Sequence, residues 1–264
     1  RAKIMIHKTS IIDPKANISS KANIGPFCII GPNVIIEDEV VIHAQVNING
    51  NTKIGSGSII YPFASIGNDP QDLKYNGEKN SLIIGSNNKI REYVSINPGT
   101  VGGGGQTKIG DNCLFMVSSH VAHDCLIGNN VVFANNVAVG GHVRIDDDVV
   151  VGGNSAIQQF TRIGKMAMIG GMCGVVKDVI PYGMAFGNRC SLQGLNLIGL
   201  RRKNITNKEI LLLSEAYKEI FKTENLSKNL LNLNKKFNEN YLIKEVIHFI
   251  NENKKRPICT PHSK

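Results

Sequence analysis

The sequence predicts a mainly β protein, a parallel β-helix of hexapeptide repeats followed by a C-terminal α-helical domain. Three observations predict it. An aliphatic residue or Phe recurs at every sixth position over most of the chain, and a small residue follows nearly every one of them four places later. The composition agrees: 42% of the 264 residues are hydrophobic, yet only 6% are aromatic and none is Trp, which suits a thin interior filled by Ile, Val and small side chains.

The first run of repeats starts at Ile6 and passes through Ile12, Ile18, Ile24 and every sixth residue to Ile66. Six residues per side is too short for a helix and too regular for a meander. It gives short strands, with one large and one small side chain per side pointing into a narrow prism. If three sides close a coil, a coil takes eighteen residues, and about eight or nine coils stack at the ~4.8 Å strand spacing. Gly often follows the start of a repeat, as at Gly25 and Gly55, where a turn is expected to need backbone freedom. The register breaks at residues 68–82, resumes at Ile84, Ile90 and Ile96, and breaks again at 102–108. Loops that interrupt a solenoid collect on its surface and often carry function. The four glycines at 102–105 lack the strand–loop–helix context and the Lys-Ser/Thr of a phosphate cradle, so they read as a flexible loop.

The last run extends from Ile109 to Val175, giving twenty-six repeat starts in all. Cys28, Cys113, Cys125 and Cys173 fall at the small inward position and read as reduced, buried thiols; Cys190 and Cys259 lie outside the repeat. After about Pro181 the pattern changes. Thr206 and Glu209 have capping-box spacing ahead of an amphipathic helix over 205–223, and two further helical segments are expected at 226–237 and 241–255. The division is therefore residues 1–190, the β-helix with its two insertions, and residues 191–264, the helical domain.

The net charge of +9 is concentrated: residues 191–264 hold 14 Lys and Arg against 7 Glu. Such a surface calls for an acidic partner: nucleic acid, a membrane surface, or an acidic carrier or substrate. A nucleic-acid scaffold lacks support, because the tail has few aromatics to stack on bases and no recognised motif. Disorder is excluded by the aliphatic content. Six Cys with no C-x-x-C pair argue against a zinc ribbon and a disulfide scaffold. No stretch approaches about 18 consecutive apolar residues, and the start lacks a signal-peptide pattern, so no membrane span and a cytoplasmic location are expected.

The chemistry points to histidines, which titrate near neutrality. His120, His123 and His142 fall within two coils. His123 is the third residue of its repeat; Gly141 lies eighteen residues on and Gln159 eighteen beyond that, in one stacked column. An imidazole beside a glycine backbone suits general-base attack of an alcohol on an acyl carbonyl, with the glycine N–H binding the oxyanion. Asp124 is placed to orient His123. The rival use of three histidines is a zinc site, as in trimeric hexapeptide carbonic anhydrases; the His-x4-His pair of those enzymes is absent, and no metal or other cofactor is expected.

At this point the chain resembles the UDP-N-acetylglucosamine O-acyltransferase family, which begins lipid A biosynthesis in Gram-negative bacteria. The resemblance rests on IGPFCIIGP at 24–32, NGNTKIG at 49–55, YPFASIG at 61–67, QDLKY at 71–75, HVAHDC at 120–125, GNNVVFANN at 128–136, GGHV at 140–143 and GLNLIGLRR at 194–202. QDLKY together with HVAHDC carries most of its specificity. It implies a left-handed β-helix and a homotrimer with active sites between subunits. It also implies transfer of an R-3-hydroxyacyl group from acyl carrier protein to the 3-OH of UDP-GlcNAc. In its terms His123 is the base, Asp124 its partner and the Gly141 amide the oxyanion donor. Asp72 and Lys74 match loop residues that contact the sugar nucleotide, His120, His142 and Gln159 match pocket residues, and Asn196 and Arg202 match contacts to the uridine and phosphates. Gly171 matches a position that sets how deeply the acyl chain enters, and glycine leaves the groove open to a longer chain. Asn97 and Gln158 depart from the His, and Ile198 from the acidic residue, that several members carry. The alternative within the same superfamily, an N-acyltransferase acting later on the acylated amine, usually has an N-terminal uridine-binding domain ahead of its repeats.

Overall fold

The computed structural model describes residues 5–233, 237, 239–253 and 256–261. Every one of the twenty-six repeat starts is the last residue of a short strand, from Met5–Ile6 to Gly174–Val175. Each strand up to Ala156–Ile157 pairs in parallel with the strand three places further on, so that among the described residues three sheets of eleven, nine and eight strands form the sides of a prism. The spacing is eighteen residues where the repeat is unbroken, as in Ile24 opposite Ile42. It widens to thirty across the first insertion, Ile60 opposite Ile90, and to twenty-five across the second, Ile90 opposite Phe115. The strands after the insertions begin at Ser81 and Gln106, ahead of the limits 82 and 108 set by the repeat phase, because extra residues extend the pairing of each returning strand.

The interior is the stack of repeat starts and their small partners. Ile30, Ile48, Ile66, Ile90 and Val139 are fully buried, as are Val34, Val40 and Val137 between them. Burying one such aliphatic side chain contributes roughly 1.5–3 kcal/mol. Phe115 and Phe133 are the large members of this stack and meet edge to face at 5.2 Å, a packing the prism accepts in the space of two neighbouring coils. Polar residues at the small position bond to backbone: Ser155 donates to the Gly170 carbonyl at 2.8 Å, and Asn88 donates to the Gly85 and Gly110 carbonyls while accepting from the Cys113 N–H.

The expectation that Gly25 and Gly55 supply turn freedom is corrected. Most of the non-glycine residues with positive φ stand three places after a repeat start, among them Phe27, Phe63, Asp124, His142 and Phe160, with φ between 58° and 65°. Gly25 and Gly55 are required by close approach instead. A Cβ at Gly25 would come within 2.9 Å of the backbone of the next coil at His43, and one at Gly55 would strike Gly85 and Ser86.

The prism ends in an antiparallel hairpin of Gly183–Phe186 and Ser191–Leu195. Four α-helices follow among the described residues: α1, Leu197–Arg202; α2, Asn207–Ile220; α3, Leu226–Leu231; and α4, Tyr241–Glu252. α1 was not expected; α2 has the capping box of Thr206 and Glu209 that the spacing indicated. α3 stops at Leu231, short of the expected segment, in which residues 234–236 lie outside the described ones, as do 254–255 beyond α4. Arg162 clasps α4 to the prism. Its guanidinium donates to Asp178 at 2.8 Å, to Glu252 at 2.8 Å and to the Phe249 carbonyl at 3.1 Å, and lies 4.3 Å over the Phe249 ring. Among the described residues no helix is long and apolar enough to cross a membrane.

Candidate active site

One corner of the prism collects the polar features. Both insertions leave it, after the strands Ser65–Ile66 and Ser95–Ile96, and His123, Gly141 and Gln159 follow the strands His120–Val121, Ala138–Val139 and Ala156–Ile157 of the same nine-stranded sheet. The repeat phase thus puts residues far apart in sequence on one edge.

His123 and Asp124 are buried there, at 5% and 7% exposure. The His123 Nδ1 lies 2.8 Å from Asp124 Oδ2. Asp124 also accepts the Thr100 N–H on Oδ1 at 2.8 Å and the Thr100 hydroxyl on Oδ2 at 2.6 Å. A carboxylate only accepts, so Nδ1 carries the proton, and in the neutral ring Nε2 is the nitrogen with a free lone pair. Nε2 faces Gly141: a Cβ on that residue would stand 2.7 Å from it and 2.6 Å from Cε1. The Gly141 carbonyl accepts from the Phe160 N–H, while among the described residues nothing accepts the Gly141 N–H. A basic nitrogen and an unpaired amide therefore share one small space.

His142 stands edge-on to His123, with centroids 5.0 Å apart, and stacks flat on Phe160 at 4.4 Å. Burial lowers its pKa, opposed by Asp124, and Asp72 of the first insertion is near enough to act on it electrostatically. Burial also lowers His120, whose Nδ1 is 2.7 Å from the Ser95 hydroxyl. Both rings are thereby held neutral near pH 7. Gln159 is exposed beside Gly140. The carboxylate of Asp72 accepts the Lys74 N–H at 3.0 Å, a local turn that leaves the Lys74 side chain exposed.

The remaining candidates lie elsewhere on the chain. Asn196 caps α1 by accepting the Gly199 N–H and donates to the Met166 carbonyl; Arg202 is exposed on the last turn of α1. Gly171 is exposed beside Gly153. Among the described residues no contact joins these three to His123. A cavity of about 600 Å³ between Leu126, Arg144 and Phe249 contains none of the candidates.

Ligand-capable atoms of His123, Asp124 and His142 lie within 4.8 Å of one another. As a metal site the set is poor, because both Asp124 oxygens are already taken by Thr100 and His123. The cysteines are buried, and burial pushes Cys113 up to about 11 and Cys125 to about 12, which removes them as nucleophiles. Thr100, Ser95 and Phe160 were missed in the sequence. Only the position of Thr100, at the mouth of an insertion on the histidine edge, could have marked it.

The family model described as Udp N-acetylglucosamine O-acyltransferase, Domain 2, matches residues 178–259, and that of the bacterial transferase hexapeptide (six repeats) matches 106–141. An acyl-[acyl-carrier-protein]–UDP-N-acetylglucosamine O-acyltransferase of Nautilia profundicola is 45% identical over 76% of this chain and 78% of its own. Its counterpart in Campylobacter lari is 50% identical over 76% of each. The crystal structure of the UDP-N-acetylglucosamine O-acyltransferase of Moraxella catarrhalis is 45% identical and superposes with a TM-score of 0.92 over 96% of this chain and 98% of its own.

Proposed function

This chain belongs to the UDP-N-acetylglucosamine O-acyltransferase family, and from that premise we propose that His123 is the general base of its acyl transfer. The enzyme moves an acyl chain from acyl carrier protein to UDP-GlcNAc in lipid A biosynthesis. In the mechanism proposed here the acyl group is R-3-hydroxyacyl and the acceptor is the sugar 3-OH. His123 Nε2 takes the hydroxyl proton as the oxygen attacks the thioester carbon, and the Gly141 N–H donates to the oxyanion that forms. Collapse of the tetrahedral intermediate breaks the C–S bond, and the imidazolium returns its proton to the departing sulfur. The products are an ester and a free carrier thiol. Asp124 holds the Nδ1–H tautomer and offsets the charge of the imidazolium.

The observation that carries this reading is the pairing of His123 Nδ1 with Asp124 at 2.8 Å while Nε2 faces Gly141. A homotrimer completes the pocket. Asp72 and Lys74 meet the sugar nucleotide, His120, His142 and Gln159 line its pocket, and Asn196 with Arg202 comes from α1 of a neighbouring copy to the uridine and phosphates. The open surface at Gly171 admits a long acyl chain. Residues 1–190 supply the base and residues 191–264 the basic surface for the acidic carrier, in the cytoplasm. The test is mass spectrometry of the product from UDP-GlcNAc and a panel of 3-hydroxyacyl carriers, with His123→Ala as control. His123→Ala is expected to lose about 10²–10⁴ in rate while staying folded and trimeric; wild-type turnover in that variant overturns the mechanism.

A further inference from the structure

We infer that Thr100 and Gly103 of the second insertion are positioning residues for the acyl-transfer reaction: the turn they form seats and covers the Asp124 carboxylate that orients His123. The inference rests on His123 being the base. A buried carboxylate needs donors, and of the three that Asp124 has among the described residues, two come from Thr100, its N–H at 2.8 Å and its hydroxyl at 2.6 Å. The third is His123 itself. Thr100 is fixed in turn, its carbonyl accepting the Gly103 N–H at 3.0 Å and the Gly105 N–H at 2.8 Å.

Gly103 closes the other side. A Cβ there would overlap the Asp124 Cγ and both of its oxygens, so only glycine lets the chain lie against the carboxylate. Gly104 and Gly105, at φ of 96° and 78°, then turn the chain back into the strand Gln106–Ile109. Gly102 has nothing within 4 Å of its would-be Cβ. The glycine run, expected to be a flexible loop, is a fitted cover in which one residue is sterically required, two are conformationally required and one is free. Among the described residues the other titratable groups beside His123 are His142, edge-on at 5.0 Å with its Nδ1 3.9 Å from Asp124 Oδ2, and His120, which acts on His123 electrostatically; neither bonds to Thr100 or Gly103.

The experiment measures kcat, both KM values and the pH profile of kcat/KM for the full chain carrying Thr100→Val, Thr100→Ser, Gly103→Ala, Gly102→Ala or His123→Ala. Thr100→Val is expected to lower kcat about tenfold with both KM values within about twofold. It also moves the acid limb of the profile to higher pH. With one donor gone, more of the carboxylate charge faces Nδ1, the imidazolium is favoured, and the neutral base is lost at a higher pH. Thr100→Ser restores rate and profile. Gly103→Ala falls at least as far, and Gly102→Ala behaves as wild type. Thr100→Val is close in shape to the native residue and keeps the test decisive should Gly103→Ala unfold. Wild-type kcat and profile in Thr100→Val, or equal losses in its Ser and Val variants, overturn the positioning role while an inactive His123→Ala leaves the base intact. An active His123→Ala overturns the base, and this inference with it.

Discussion

At the scale of single residues the site is a matter of who touches Asp124 and what faces His123 Nε2. His123, Asp124 and Gly141 could be picked out in the sequence, because an eighteen-residue spacing stacks residues in one column. Thr100 was marked only by its place at the mouth of the second insertion, since its two bonds to Asp124 cross the seven extra residues that break the register there. The stacking of His142 on Phe160 lies on that same eighteen-residue spacing, both holding the corner position three places after their repeat starts, but the period does not encode how the two rings meet. Gly141→Ala tests the reacting space directly. Its Cβ would sit 2.7 Å from Nε2 and displace either the ring or the acceptor oxygen, and misplacement on that scale costs about 10²-fold in rate. Steady-state kinetics beside a thermal melt checks this, and an unchanged kcat shows that the reaction does not take place between His123 and Gly141.

Among the elements, the strands of the repeat were legible by position, though not the early starts at Ser81 and Gln106 or the closing hairpin, and the helices were less so. A two-residue strand at each repeat start needs only the alternation of inward and outward side chains. α2 was marked by its capping box. α1 has six residues and no apolar period to find, and it forms because Asn196 caps it and the end of the prism supports it. The clasp of Arg162 on α4 was invisible for another reason: Asp178, Phe249 and Glu252 are brought to Arg162 by the packing of the helical segment. Arg162→Met leaves Asp178, fully buried, short of its main partner, and is expected to destabilise the protein by about 3–5 kcal/mol. Arg162→Met combined with Asp178→Leu should recover part of that. Urea unfolding of the single and double variants measures it, and a loss below about 1 kcal/mol in Arg162→Met would show that the clasp adds little.

For the whole molecule, stability is the sum of coils and their neighbour contacts, while activity depends on which corner each feature occupies. Removing residues 24–41, one full coil ahead of both insertions, keeps every later strand on its own sheet. That variant is expected to fold with a lower melting temperature and to retain acyl transfer. Removing 110–115, one side between Thr100 and His123, preserves the repeat phase but turns His123 to the next corner, away from the insertion. It should keep its β-sheet circular dichroism and lose activity. Activity in the shorter deletion, or collapse of the longer one, refutes this separation of folding from placement.

By itself the sequence determined the prism, because a period of six with one large and one small inward residue admits a single way of burying them. It also determined the column that carries His123, since stacking copies the phase from coil to coil. Only the tertiary structure decided that the second insertion closes on Asp124, that glycines after repeat starts serve close approach between coils, and that α4 is held by Arg162. The first and last of these depend on where an insertion or a helical segment folds back onto the prism, and the second on how closely two coils approach; the period fixes which residues stack but encodes none of these distances.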